Sequence, residues 1–110
     1  MNHQEIERSI QAKGLTAPRV TPQMIDDCIV AEYSFTADKA LTGCPLHDSL
    51  KLLTICVLVL RNGFTVTGES ACVSAENFDA DVGHRVAREK AKDKIWAFEG
   101  YRLRSQLADL

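Results

Sequence analysis

Few residues in this chain could do chemistry, and they are scattered. His84, Glu69 and Ser70 form the best trio, because the strand bearing Glu69 and Ser70 leads into the helix bearing His84. A solvated helix histidine beside an unrelated strand carboxylate is far commoner than such a site, so no catalytic residue and no enzymatic activity are expected. His3 sits at the terminus, and Asp26 and Asp27 are adjacent on a helix, so their carboxylates point apart. In "CPLH", Cys44 and His47 could grip one metal ion, but a tetrahedral site needs two more ligands and none is near in sequence. No metal and no cofactor are expected.

A second kind of chemistry is anion binding. Arg85, Arg88 and Lys92 fall at helical spacing on one face and could hold phosphates, with Lys90 and Lys94 elsewhere around the helix. Glu89 and Asp93 interleave with them, and no aromatic platform accompanies the arginines to stack bases. A charge-laced solvated face is the plainer reading. One small anionic ligand needs only two or three such groups, so Arg85, Arg88 and Lys92, with Glu69, Ser70 and His84, are the candidate ligand or partner residues.

The elements that must position these side chains follow from periodicity. Residues 1–13 read as a short helix, with Ile6 and Ile10 one turn apart and Gly14 placed to end it. Thr21-Pro22 is a good helix start, because the threonine oxygen can cap free N–H groups and proline suits the first helical position. A second helix is expected over residues 22–32, burying Met24, Ile25, Cys28 and Ile29. "YSFTADKALTGCPLHDSL" has no clean period and reads as a long ordered loop with a short helical turn.

"LTICVLVLRNGFTVTGESACV" then reads as an antiparallel hairpin turning at Asn62-Gly63, the preferred two-residue type I′ pair. That register sets Val59 opposite Val66 and Val57 opposite Gly68. It buries Ile55, Val57, Val59, Phe64 and Val66, and leaves a half-apolar face of Cys56, Leu58 and Leu60 opposite Glu69, Thr67 and Thr65. Gly68 in mid-strand suggests a bulge or the close approach of another backbone. Ser74 can cap a long helix over residues 74–98, whose inward stripe is Phe78, Val82, Val86, Ala87, Ala91, Ile95 and Phe98. Gly100 is expected to break it before a final short helical segment. The order helix, helix, hairpin, helix makes an α+β fold, one domain over 1–110, with the first helix and connector (1–21) its more mobile part.

Composition excludes several function classes. The 110 residues are 45% hydrophobic and 25% charged with net charge -2, a balance without the concentrated positive field that nucleic acid or anionic lipid requires. Residues 1–50 carry four basic and seven acidic side chains and residues 51–110 nine and eight, so positive charge is biased toward the C-terminal part. No run of about 18 apolar residues suggests a membrane span, and "MNHQEIERSI" lacks the basic-then-apolar order of a signal peptide. A cytoplasmic protein is expected.

The half-apolar face asks for a cover. Monomers rarely leave such patches open, so Cys56, Leu58, Leu60, Thr65 and Thr67 are the expected interface with a second copy, as a homodimer or larger homo-oligomer.

"LTICVLVLRNGFTVTGESACVSAENFDADVGHRVAREKAKDKIWAFEGYRL", with the opening "IQAKGLTAPRVTP" and the "EYSFTA" segment, resembles the gene product 49 family of small phage and prophage proteins, also named for a gene 66 product. The resemblance covers most of the chain. It implies a tailed-phage or prophage gene, hence a bacterial cytoplasm during infection, and carries over no catalytic residue. The expected function is that of a phage accessory protein that self-associates and binds a host protein. The alternative is a binder or sponge of a small anionic, nucleotide-like ligand held between protomers.

Cys28, Cys44, Cys56 and Cys72 are widely spaced, with no paired-cysteine motif. All four are expected to be free thiols. Mass spectrometry under non-reducing, denaturing conditions should find the fully reduced mass, and a mass lower by one pair of hydrogens would refute it.

Overall fold

The computed structural model describes residues 3–110; Met1 and Asn2, at the start of the first expected helix, lie outside the described residues. Helix α1 (His3–Ala12) is followed by α2 (Pro22–Cys28), where the Thr21 hydroxyl accepts the Met24 N–H at 3.2 Å and Pro22 opens the first turn. The expected second helix stops four residues short. From Ile29 the chain turns extended and forms strand β1 (Ile29–Thr36), whose β-branched and aromatic residues suit a pleated ladder. The rest of the expected loop carries two 3-10 turns, Ala37–Ala40 and Asp48–Leu52. Strands β2 (Leu53–Leu60) and β3 (Thr65–Ala71) complete an antiparallel sheet in the order β1-β2-β3. The architecture is α+β, as expected, but the sheet has three strands rather than two.

The hairpin turns where Asn62-Gly63 predicts, with a different loop. Gly63 N–H donates to the Leu60 carbonyl and Leu60 N–H to the Phe64 carbonyl, both at 2.8 Å, so Arg61, Asn62 and Gly63 all lie in the loop. A type I′ turn needs positive φ at both central residues; here only Gly63 has it, at 89°, the pattern of a three-residue loop closed by a glycine bulge. The extra loop residue shifts the register by one. Leu58 lies opposite Val66, Cys56 opposite Gly68 and Ile55 opposite Glu69. A one-residue slip exchanges the faces of a strand. Cys56 and Leu58 are therefore fully buried and Leu60 is 6% exposed, at the centre of the core with Val66, Ile25 and Cys28. The expected interface on Cys56, Leu58 and Leu60 is thereby corrected: the long helix covers them. Thr65 and Thr67 stay on the other face, beside Val59 and Val57.

That helix is α3 (Ala80–Leu107), twenty-eight residues long. It starts later than Ser74, whose side chain makes no cap bond and precedes a 3-10 turn, Ala75–Asn77. Asp79 is the cap instead, its carboxylate accepting the Val82 N–H at 3.0 Å. Gly100 does not break the helix, which runs on through the expected final segment. The buried stripe is Gly83, Ala87, Ala91, Ile95 and Glu99, a spacing of four, while Val82, Val86 and Phe98 are exposed.

Small residues on that stripe let the helix backbone touch the sheet. A Cβ at Gly68 would run into the Ala87 carbonyl oxygen and the Ala91 amide nitrogen, and one at Gly83 would lie 2.7 Å from the Thr54 hydroxyl. The close approach expected at Gly68 is thus made by α3. The molecule is correspondingly thin, its smallest Cα dimension being 17 Å, which fits one sheet and one helix and no third layer.

Gly68→Ala should cost at least about 2 kcal/mol, because neither backbone can yield without moving the whole helix. Gly100→Ala, with open space around it, should instead stabilise by about 0.5–1 kcal/mol. Urea denaturation of both variants checks the pair; equal effects would contradict the packing.

Candidate functional site

Helix α3 packs chiefly on β2 and β3. Beyond Ile29, which packs on the core opposite Leu60, the residues of β1 that point to the helix side are polar: Glu32, Ser34 and Thr36, opposite Leu58, Cys56 and Thr54. Glu32 spans the gap to α3. Arg88 Nε donates to both its oxygens at 3.1 and 3.2 Å, and His84 Nε2 lies 3.3 Å from Oε2. Cys56, on the neighbouring strand, completes a group in which the Glu32, His84 and Cys56 donor atoms all lie within 4.8 Å of one another. His84 Nδ1 is buried without a hydrogen-bond partner. Burial and the Glu32 carboxylate push the Cys56 thiol above its ordinary pKa, so on its own it is a neutral thiol and a poor nucleophile.

The expected site residues are only partly brought together. Glu69 and Ser70 are neighbours in a strand and must point to opposite faces. Glu69 is exposed opposite Ile55, on the face away from α3. Ser70 pairs with Thr54 on the helix side, where it lines a cavity of about 130 Å³ with Gly83 and Cys72. The trio with His84 therefore does not assemble; the carboxylate that meets His84 is Glu32. Nor do the three cations form an open anion site. Arg85 pairs with Asp81 at 2.9 Å, Arg88 with Glu32, and Lys92 with Asp26 at 2.8 Å. Cys44 is exposed, and His47 Nδ1 is engaged with the Ser49 N–H and hydroxyl at 3.1 and 2.8 Å.

Sequence reasoning missed two features. The first is the face of the sheet away from α3. Three rows cross it: Ala31, Val59 and Thr65; Tyr33, Val57 and Thr67; Phe35, Ile55 and Glu69. Its centre holds no charge, and Tyr33 is 60% exposed. The alternation of Ala31, Tyr33 and Phe35 could have revealed it. The second is a cavity of about 500 Å³ at the hairpin tip, lined by Phe64, Phe98, Arg61, Arg102 and Glu99. Phe64 and Phe98 meet edge to face at 5.3 Å. Arg102 holds the buried Glu99 carboxylate at 2.7 and 2.8 Å.

A family model described as the Phage protein (N4 Gp49/phage Sf6 gene 66) family matches residues 20–107, a stretch that takes in α2, the sheet and all of α3. No curated protein and no solved structure matches the chain. No helix is long and apolar enough to cross a membrane among the described residues.

Glu99 is the buried acid whose titration depends on the fold. Burial pushes its carboxyl up, but hydrogen bonds from Arg102 and Cys28 and the charges of Arg102 and Arg61 outweigh that and hold it below the ordinary carboxylate range. The unfolded chain then binds this proton more tightly than the folded one, so Glu99 contributes stability above the ordinary glutamate pKa of about 4.3 that is lost as pH falls through the lower folded value. Urea unfolding at a series of pH values should show Glu99→Gln less stable than the parent at neutral pH, with the gap closing in acid; a gap that persisted in acid would assign Glu99 a packing role alone.

Proposed function

The chain belongs to this family of phage proteins, and from that premise we propose that it is a non-enzymatic phage or prophage accessory protein. It works in the cytoplasm of the bacterial host by binding, first to a second copy of itself and then to a host protein. The observation that carries the reading is the face of Ala31, Tyr33, Phe35, Ile55, Val57 and Val59, on the side of the sheet away from α3. Three strands about 4.8 Å apart and some seven residues long present roughly 300 Å² in projection, a size at which an apolar patch marks an interaction site. A second copy suits it because the uncharged centre asks for no complementary charge. Two such sheets can stack about 10 Å apart around a twofold axis, with Glu69 and the two threonines at the rim. A Cys56 thiol that burial keeps protonated, and Glu69 on the opposite face of the strand from Ser70, suit a role without catalysis.

A small anionic ligand is the second reading, favoured by one observation. Arg61 makes no ion pair among the described residues, and it lines the hairpin-tip cavity with Phe64, Phe98 and Arg102. Aromatic walls and a guanidinium in no ion pair suit an aromatic anion better than the paired Arg85, Arg88 and Lys92 do.

Sedimentation equilibrium at micromolar concentration should find a dimer. Tyr33→Glu and Val57→Glu, each checked for a folded spectrum, should give monomers, while Arg85→Glu on the exposed side of α3 should not. Affinity capture from host lysate should then retain a host protein. A monodisperse monomer overturns the self-association, and a thermal shift with a nucleotide panel that Arg61→Ala removes would favour the second reading.

A further inference from the structure

We propose that Glu32, Cys56 and His84 form a binding site for a zinc-class divalent metal ion that pins the edge strand β1 to β2 and α3. The three side chains come from three different elements, and their donor atoms already lie within 4.8 Å of one another. Zinc bonds of about 2.0–2.3 Å in tetrahedral geometry place ligand atoms roughly 3.3–3.7 Å apart, so the donors need close by no more than about 1.5 Å. Rotation about side-chain bonds supplies that without moving the backbone.

The chemistry of the donors selects the ion. Thiolate, imidazole and carboxylate together favour zinc or its transition-metal neighbours, and a thiolate disfavours magnesium and calcium. On binding, the Cys56 thiol gives up its proton to solvent. One dication, one thiolate and one carboxylate then sum to zero charge, which a site beside the core can bear. The buried, unpartnered His84 Nδ1 marks a ring held by no second protein group.

Arg88 is the apparent obstacle, since it holds Glu32, yet its contact fits a metal site. Its Nε reaches both oxygens at 3.1 and 3.2 Å. An ion on Oε2 leaves Oε1 to the guanidinium, and ligating carboxylates are commonly steadied by such a bond. Three protein ligands leave a fourth position for water, and the side chains of Glu32 and His84, 36% and 34% exposed, open that position to solvent. This goes beyond the binding role above, because the site lies on the opposite side of the sheet from the open face and does not require a second copy.

The test uses the full-length chain stripped of metal. Titration with zinc chloride should give one ion per chain and raise the melting temperature, and cobalt(II) should give the absorption of a thiolate-bound tetrahedral ion. His84→Ala and Glu32→Gln, both at the half-exposed edge, should each weaken zinc binding at least tenfold, and Cys56→Ser should abolish the thiolate-to-cobalt band. A double variant, Cys44→Ser with His47→Ala, should bind as the parent does. No stoichiometric zinc at micromolar concentration, unchanged affinity in His84→Ala and Glu32→Gln, or loss of binding in the Cys44/His47 variant would each overturn the proposal.

Discussion

The contact between the α3 backbone and β3 at Gly68 governs this molecule. Glycine on the strand and alanines at 87 and 91 on the helix remove the side chains that normally hold a helix some 10 Å from a sheet. Dispersion contact between the two backbones takes their place. The helix can then bury only a narrow stripe, and the core draws its bulk from Leu58, Leu60, Val66, Ile25 and Ile95. A thin molecule, one helix on one sheet, is the consequence. The apolar residues of β2 that point the other way receive no cover from their own helix.

The same constraint decides where polar groups can sit. A helix seated over β2 and β3 leaves the helix side of β1 as an open flank. Apolar residues there would face water, whereas Glu32 can reach Arg88 and His84 across the gap, as Asp26 reaches Lys92 nearby. These half-exposed pairs are worth little in stability, about 1 kcal/mol or less each. What they fix is position. They hold the middle of the edge strand near the helix, beyond the apolar contact that Ile29 makes with the core.

Much of this was legible in the residues. Thr21-Pro22 announces α2, Asn62-Gly63 the turn, and Gly68 the close approach. The face of the hairpin was not legible from the hairpin, because Ile55, Val57 and Val59 are as apolar as Cys56, Leu58 and Leu60, so a slip of one residue has no cost in pattern. Asn-Gly serves both two- and three-residue loops. The answer lay in the helix: Gly83, Ala87 and Ala91 at intervals of four form a small-residue stripe, and only a strand face carrying glycine can meet it. Strand β1 was hidden for another reason. Ile25, Cys28, Ile29 and Glu32 continue a helical period past the point where β-branched and aromatic residues favour a strand, and pairing with β2 settled the matter. The group of Glu32, Cys56 and His84 has no sequence signature at all, since its members are 24 and 28 positions apart and meet only through the sheet register.

Strand β1 joins the two surfaces of interest. Adjacent residues of a strand point to opposite faces, so Glu32 looks toward α3 while Tyr33 looks onto the open apolar face. As an edge strand, β1 is hydrogen-bonded to one neighbour only, and its register shifts between Ile29 and Ala31. Its order therefore depends on what grips its side chains. Any group that fixes Glu32 on the helix side, whether Arg88 or a metal ion, also fixes the placing of Tyr33 and Phe35 on the other. The placing of the β1 residues on the open face, on which the proposed stacking of a second sheet rests, is thus tied to charged contacts on the opposite side of the same strand. The stretch matched by the family model contains both sides of this arrangement, whereas α1, tied to the body by the Glu7–Arg19 pair and the His3–Trp96 stack, lies outside it. The sheet with its single long helix, and not the N-terminal helix, is accordingly the unit in which binding is to be sought.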